Sequence, residues 1–276
     1  MARLARITTY PIKSLDPVER DRARLVTDGA LDGDREYAVV NENDRYVNGK
    51  RTADVHRVRA SFDDDLSTVA LGTDGTHGAR ERTDSETKRF DFESDRTAID
   101  EWLSEHFEMP AHLKRDATGG FPDDTTLSGP TLVSTETPRE VASWFPDIDV
   151  EGMRRRLRAN LEVDGVSPFW EDRLVADYDH CVAFRVGDVT FRGVNPCQRC
   201  VVPTRDPYTG ETNDGFQRTF VEKREETLPE WANRSRFDQF FRLMVNTQIP
   251  ESEWESEIAV GDGVTILGER AFETAE

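Results

Sequence analysis

The sequence predicts a mainly β protein of the α+β kind, built as two β-barrel-like domains with peripheral helices. Three observations carry this reading. Short runs rich in apolar residues recur along the chain, bounded by Gly, Pro, Asn and Asp, as strands ended by turns are. Helical spacing is confined to a few segments. The 276 residues correspond to about two domains at roughly 150 residues each.

Taken in order, residues 2–10 read as a strand stopped by Pro11, with Leu4, Ile7 and Tyr10 as its apolar positions. Residues 22–27 are a second strand. Asp28-Gly29 and Asp32-Gly33 are turns, and 35–41 a third strand. Asn43-Asp44 turns the chain back, so Arg45-Tyr46-Val47 reads as the hairpin partner of 35–41. Further strands fall at 57–62, 67–71 and 89–92, with 72–88 a polar loop. Ile99, Trp102, Leu103 and Phe107 have helical spacing over 97–107, and Pro110 closes that helix. A second helix is expected over 136–145, with Thr137 as cap and Pro138 at the first position. A third, aromatic-rich helix is expected over 235–244. Strands are expected near 131–134, 158–163, 182–186, 188–193, 245–249 and 264–267, with tight turns at Gly187-Asp188 and Gly261-Asp262-Gly263. The Gly- and Pro-rich stretch 115–129 divides the chain into domains 1–118 and 119–276. Many short strands with sparse helices suit barrel or sandwich cores with helices outside.

Charge narrows the partners. There are 55 Asp and Glu against 36 Lys and Arg, a net charge of −19, and only five lysines. The acids are spread evenly rather than gathered in a tail, so they describe a solvated acidic surface. That surface repels phosphate backbones, which argues against nucleic acid as a partner, and it reads as adaptation to high salt. No run of about 18 apolar residues exists, so no membrane-spanning helix is expected. The N-terminus runs straight into a strand without the apolar core of a signal peptide, so the expected location is the cytoplasm. Cys181, Cys197 and Cys200 are too few for a disulfide framework and point to free thiols.

Against this acidic background, clustered thiols and cations stand out. Residues 195–211 place Cys197 and Cys200 around Arg199, after a strand and before a turn made by Pro207 and Gly210. A cation beside Cys200 favours the thiolate, the form that attacks or binds a soft metal. A zinc site would need Cys181 and His180 as complement, and a redox disulfide or buried core thiols are further readings. Cations also sit at strand ends: Lys13 in Tyr10-Pro11-Ile12-Lys13-Ser14, Arg35, Lys50-Arg51, and Arg154 to Arg158. Together they suit an anionic, phosphate-bearing ligand. The residues alone reach a soft-metal or thiolate site beside an anion-binding surface.

Several stretches resemble one family. Tyr10-Pro11-Ile12-Lys13-Ser14, Asp34-Arg35, Tyr37-Ala38-Val39-Val40, Arg158-Ala159-Asn160, Phe169-Trp170-Glu171-Asp172, and above all Cys197-Gln198-Arg199-Cys200 with Pro203-Thr204, Asp206-Pro207 and Thr209-Gly210-Glu211 resemble MOSC-domain proteins with an N-terminal MOSC β-barrel domain. Val260-Gly261-Asp262 and Val264 resemble the family's last hairpin. The resemblance extends to the mitochondrial amidoxime-reducing component and its bacterial relatives. It implies a molybdenum (or tungsten) pterin cofactor with Cys200 as metal ligand. Lys13, Arg35 and Arg158 would hold the pterin's phosphate and polar edge, and Ser128, Thr131 and Asn160 would add neutral hydrogen bonds. Arg199 belongs to the same cofactor-binding set. Asp206 would either orient the loop or face the metal's open position, and Asp206 or Glu171 would serve as general acid. The sequence departs from the pattern at Leu15-Asp16-Pro17, where many relatives have Cys then Gly, and at Ala159, where they have Pro.

The implied activity is oxidoreductase chemistry that removes an oxygen atom from N-hydroxylated or N-oxide substrates. Three cysteines cannot supply the four of an iron–sulfur cluster, so an external electron-donor protein is expected: a ferredoxin, flavoprotein or cytochrome-like partner. The other reading is a cofactor- or sulfur-handling protein that carries a persulfide on Cys197 or Cys200.

Overall fold

The computed structural model describes residues 1–73, 87–123 and 127–272. The first part of the chain contributes β1 (Arg3–Thr9), β2 (Val18–Arg20), β3 (Arg22–Arg24), β4 (Tyr37–Asn41), β5 (Val58–Phe62), β6 (Thr68–Thr73), β7 (Lys88–Asp91), α1 (Arg96–Phe107) and β8 (Ala111–Arg115). The second part contributes β9 (Leu132–Ser134), α2 (Glu136–Ser143), α3 (Val150–Leu157), β10 (Leu161–Asp164), β11 (His180–Val186) and β12 (Val189–Gln198). It ends with α4 (Phe216–Glu226), β13 (Arg242–Gln248), β14 (Glu257–Ala259) and β15 (Val264–Ala271). The fold is mainly β, as the sequence predicts.

The largest sheet has eight strands in the order β15-β11-β12-β13-β9-β10-β1-β2, so the first strands of the chain complete a sheet made mostly by the second part. β9 and β10 are parallel and joined by a crossover through α2 and α3. In strand order the sheet is open. It curls, however, until the turn before β15 meets the start of β1: Leu4 donates to Asp262 at 2.8 Å and Gly261 to Leu4 at 2.7 Å. Inside lie Leu4, Ile7, Leu132, Leu161, Phe184, Phe191 and Val245. β4 pairs with β8, β5-β6-β7 form a separate sheet, and α1 covers both by burying Ile99 and Leu103, four residues apart on one face. A third apolar cluster joins Val141, Met153, Leu157, Phe216, Phe220 and Phe241 beneath α2, α3 and α4.

Several local expectations change. The stretch 235–244 is not a helix: Asn233 caps a single turn at Arg234–Arg236, and β13 already begins at Arg242. Phe237, Phe240 and Phe241 have helical spacing, but pairing of β13 with β12 outweighs that local signal. Thr137 does not cap α2; its hydroxyl donates to Glu171 Oε2 at 3.1 Å and accepts from the Phe169 amide at 2.7 Å. Arg45–Val47 makes only an isolated bridge to β4, whose full partner is β8. α3, capped by the Asp149 side chain, and α4 arise where no helix was expected. Of the expected loop 72–88, residues 74–86 lie outside the described residues. Among the described residues, no helix is long and apolar enough to cross a membrane.

Candidate functional site

A cavity of about 530 Å³ opens where the ends of β1, α3 and β12 converge. Lys13, Arg35, Ser128, Thr131, Arg158, Asn160, Arg199 and Cys200 all line it. Residues separated by up to 187 positions in sequence are thus gathered on one wall, Lys13 at one extreme and Cys200 at the other.

The cationic side begins where β1 ends. The chain turns sharply, with Ser14 in the left-handed region at φ 75° and Leu15 donating to Ile12. The Lys13 amide donates to Tyr37 in β4 at 2.7 Å, which turns its side chain into the wall. Lys13 is 6% exposed; its ammonium donates to the Phe121 carbonyl at 2.7 Å and lies 2.9 Å from Asp123 Oδ1. Burial lowers the pKa of Lys13, and Asp123 partly offsets that.

Arg35 and Arg158 share one platform. The Arg158 guanidinium lies 3.9 Å from the Tyr10 ring centre and that of Arg35 5.3 Å from it. Both arginines have left-handed backbones, φ 54° and 56°, which side chains other than glycine seldom adopt. For Arg158 the cause is the α3 terminus: it is the C-cap residue, and its amide donates to Arg154 at 2.8 Å. Asp34 ties the group together by accepting from the Tyr10 amide and from Arg35. Burial pushes the Tyr10 hydroxyl up to about 12, against the pull of Arg158 and Arg35, so Tyr10 stays neutral. The buried Nη2 of Arg158 and Nε of Arg199 have no hydrogen-bond partner within the described protein, leaving donors along this wall.

Asn160 and Thr131 face the cavity but also bond each other. Asn160 Oδ1 accepts from the Thr131 amide and hydroxyl, both at 3.2 Å, and its amide nitrogen donates to Thr8 at 3.0 Å. They brace β9, β10 and β1 under the site. The Ser128 hydroxyl donates to the Asp28 carbonyl.

The thiol side comes from β12, whose pairing with β13 shifts register twice, between Gly193 and Asn195 and between Pro196 and Gln198. Such irregularities re-aim side chains. Opposite them, buried Met244 has φ 71° inside β13 and also lines the cavity. Cys197 and Cys200 are half-buried free thiols on the cavity wall, whereas Cys181 is buried in β11. Among the described residues no group of three or more His, Cys, Asp or Glu side chains could hold a metal, so Cys181 and His180 do not complete a zinc set. Arg199 meets Cys197 rather than Cys200: Nη1 lies 3.3 Å from Cys197 Sγ, and Nη2 donates to Leu157 at 2.8 Å.

The two carboxylates expected as acids stand elsewhere. Asp206 does not line the cavity; its Oδ1 accepts from the amides of Tyr208 and Thr209, both at 2.9 Å, and Arg156 approaches its Oδ2 at 3.6 Å. It orients the loop because the turn's own amides claim its carboxylate. Glu171 is 1% exposed and bonds Ser134 and Thr137 in the core. Sequence reasoning missed His56, Asn48 and Asp16 as site residues; they line the same cavity, as does Arg155 of the basic run 154–158. Burial holds His56 neutral by lowering its pKa to about 4. No motif marks His56, Asn48 or Asp16; only the meeting of distant segments places them there.

Residues 1–110 match the family described as the MOSC N-terminal beta barrel domain, and residues 131–265 match the MOSC domain. The chain belongs to the MOSC-domain family. In this MOSC protein the cysteine loop lies within the MOSC domain and Lys13 and Arg35 within the N-terminal domain, so both matched segments line the cavity. The chain is 23% identical over 246 residues to the molybdenum cofactor sulfurase of Caenorhabditis briggsae, covering 83% of this chain and 33% of that protein. It is 22% identical over 289 residues to the enzyme of the same name from Drosophila grimshawi, covering 96% of this chain and 34% of that protein. The MOSC chain thus spans about a third of the length of these curated relatives.

Proposed function

We propose that this MOSC protein binds a molybdenum (or tungsten) pterin cofactor and is an oxidoreductase reducing N-hydroxylated or N-oxide substrates. One observation carries the cofactor reading: a half-buried thiol, Cys200, lines the same cavity as the buried Lys13 and the half-buried Arg35 and Arg158. The residues fit such a group. Arg158 Nη2 is a buried donor without a partner in the described protein, and a thiol suits a metal already carrying sulfur ligands. Lys13, Arg35 and Arg158 would take the phosphate and polar edge, with Ser128, Thr131 and Asn160 behind them, and Cys200 would ligate the metal. Bound there, the cofactor supplies a two-electron centre for oxygen-atom removal.

The protein's own residues do the rest. Tyr10 keeps two guanidinium groups stacked and oriented. Asp34 and Leu157 hold Arg35 and Arg199 in place. His56, held neutral by burial, lines the cavity beside them, where Asp206 and Glu171 do not reach. Electrons would come from an external donor protein.

The names of the relatives favour a second reading, a cofactor- or sulfur-handling protein with a persulfide on Cys197 or Cys200. Elemental analysis of wild type beside Cys200→Ala, expressed where the pterin is made, tests the cofactor reading. It expects about one molybdenum or tungsten per chain, lost or altered in the variant. Turnover of a model amidoxime by loaded protein with a chemical reductant tests the activity. A cysteine mass gain of about 32 Da, lost on reduction, would instead favour the sulfur carrier.

A further inference from the structure

We infer that Asp123 is a built-in counter-ion of the cationic side of the cavity, standing where an anionic oxygen of the ligand binds and setting how tightly the site takes a phosphate group. The inference rests on the cofactor reading above and adds a residue that no motif marked.

A single oxygen, Asp123 Oδ1, lies 2.9 Å from Lys13 Nζ and 3.2 Å from Lys50 Nζ. One oxygen shared by two ammonium groups is the contact a phosphate oxygen makes. Lys13 is nearly enclosed, and a buried ammonium without a counter-ion is costly, so the folded chain supplies one. Burial pushes the Asp123 carboxyl up, but Lys13, Arg35 and Lys50 together outweigh it and hold the group well below the usual carboxylate range.

The backbone is built to deliver this carboxylate. The Phe121 amide donates to the Arg35 carbonyl at 2.8 Å and the Phe121 carbonyl accepts from Lys13 at 2.7 Å. Gly120 has φ +69°, and a Cβ there would sit 2.8 Å from the carbonyl oxygens of Asp34 and Arg35. Only glycine lets the chain pass this close. The segment is thereby pinned beside Lys13, one of the two lysines whose charge Asp123 balances.

The Asp123 side chain is nevertheless 56% exposed, so it can turn to water when a stronger anion arrives. A phosphate, carrying close to two charges and several acceptor oxygens, outcompetes one carboxylate for Lys13, Lys50 and Arg35. A neutral ligand does not. Asp123 thus raises the threshold for entry and selects for a multiply charged group.

The test is calorimetric titration of inorganic phosphate into the full chain at constant ionic strength, comparing wild type with Asp123→Asn, Asp123→Ser and Asp123→Glu. The two neutral variants are expected to bind phosphate roughly tenfold tighter, the effect of removing a unit charge a few ångströms away. Asp123→Glu, which keeps the charge, should stay near wild type. Neutral variants that bind no tighter than wild type, or no phosphate binding in any of the four proteins, would overturn the counter-ion role. Metal content in Cys200→Ala is measured separately, so failure here and failure of the cofactor reading are distinct.

Discussion

The guanidinium carbon of Arg158 lies 3.9 Å from the centre of the Tyr10 ring, which joins the C-terminus of α3 to the end of β1 across 148 positions of sequence. This contact aims the arginine's unpartnered Nη2 along the cavity wall instead of leaving it to swing in solvent.

Arg158→Lys should keep the charge but lose the flat stacking surface and the fixed donor fork. Its expected cost is about 1–2 kcal/mol in cofactor binding, roughly a tenfold fall in affinity, since a desolvated cation–π contact is worth about that much. Metal content after dialysis reads this out, and full retention would show that stacking on Tyr10 does not hold the ligand.

Asp206→Ala should act on stability rather than chemistry. It removes two turn hydrogen bonds, at about 1 kcal/mol each. A melting curve shifted downward, with metal content per folded chain unchanged, is the expected result. Loss of activity with an unchanged melting temperature would return Asp206 to a chemical role.

Arg224 is wholly buried and meets the Asp172 carboxylate at 2.6 and 2.8 Å. Arg224→Met leaves that carboxylate buried without its partner and should destabilise by about 3–5 kcal/mol. Adding Asp172→Leu should recover much of the loss, because the pair is then replaced rather than broken. Denaturant unfolding of the single and double variants measures this.

Burial, and then the charge of Asp172, push Glu171 from its ordinary 4.5 up to about 8. The folded chain therefore keeps a proton there that the unfolded chain has released. Stability from this group is present below the unfolded value of 4.5 and declines as pH rises toward about 8. Glu171→Gln, which mimics the protonated acid, should flatten that decline. Melting temperatures across this range check it; an unchanged slope would mean that Glu171 is ionised in the fold.

With a net charge of −19, self-repulsion should weaken the protein at low ionic strength. The melting temperature is expected to climb as potassium chloride rises toward molar levels, where the screening length shrinks to about 3 Å. A flat response would remove the high-salt reading of the composition.

Much of the site was legible because its residues are conspicuous in kind. Lys13 is one of five lysines, Arg35 and Arg158 follow turns or precede strands, and Cys200 shares a short loop with Cys197. Carboxylates were less legible. Asp206, Glu171 and Asp123 have the same chemistry in the sequence, yet one orients a turn, one is buried in the core and one balances two lysines. What separates them is the neighbours each meets, and those neighbours come from distant segments. His56 shows the same limit, since nothing beside it in sequence announces a cavity.

Local interactions determine the mainly β class, the acidic surface and most strand positions, and these follow from residue type and short-range periodicity alone. Non-local pairing decided the rest. Helical spacing at Phe237, Phe240 and Phe241 yields to the ladder between β12 and β13, because a strand's partners lie far away in the chain. The curling of the large sheet, the C-cap geometry of α3 and the glycine passage at Gly120 then choose which charged groups face one another. A thiol and three cations become one site only when those contacts close around the same cavity.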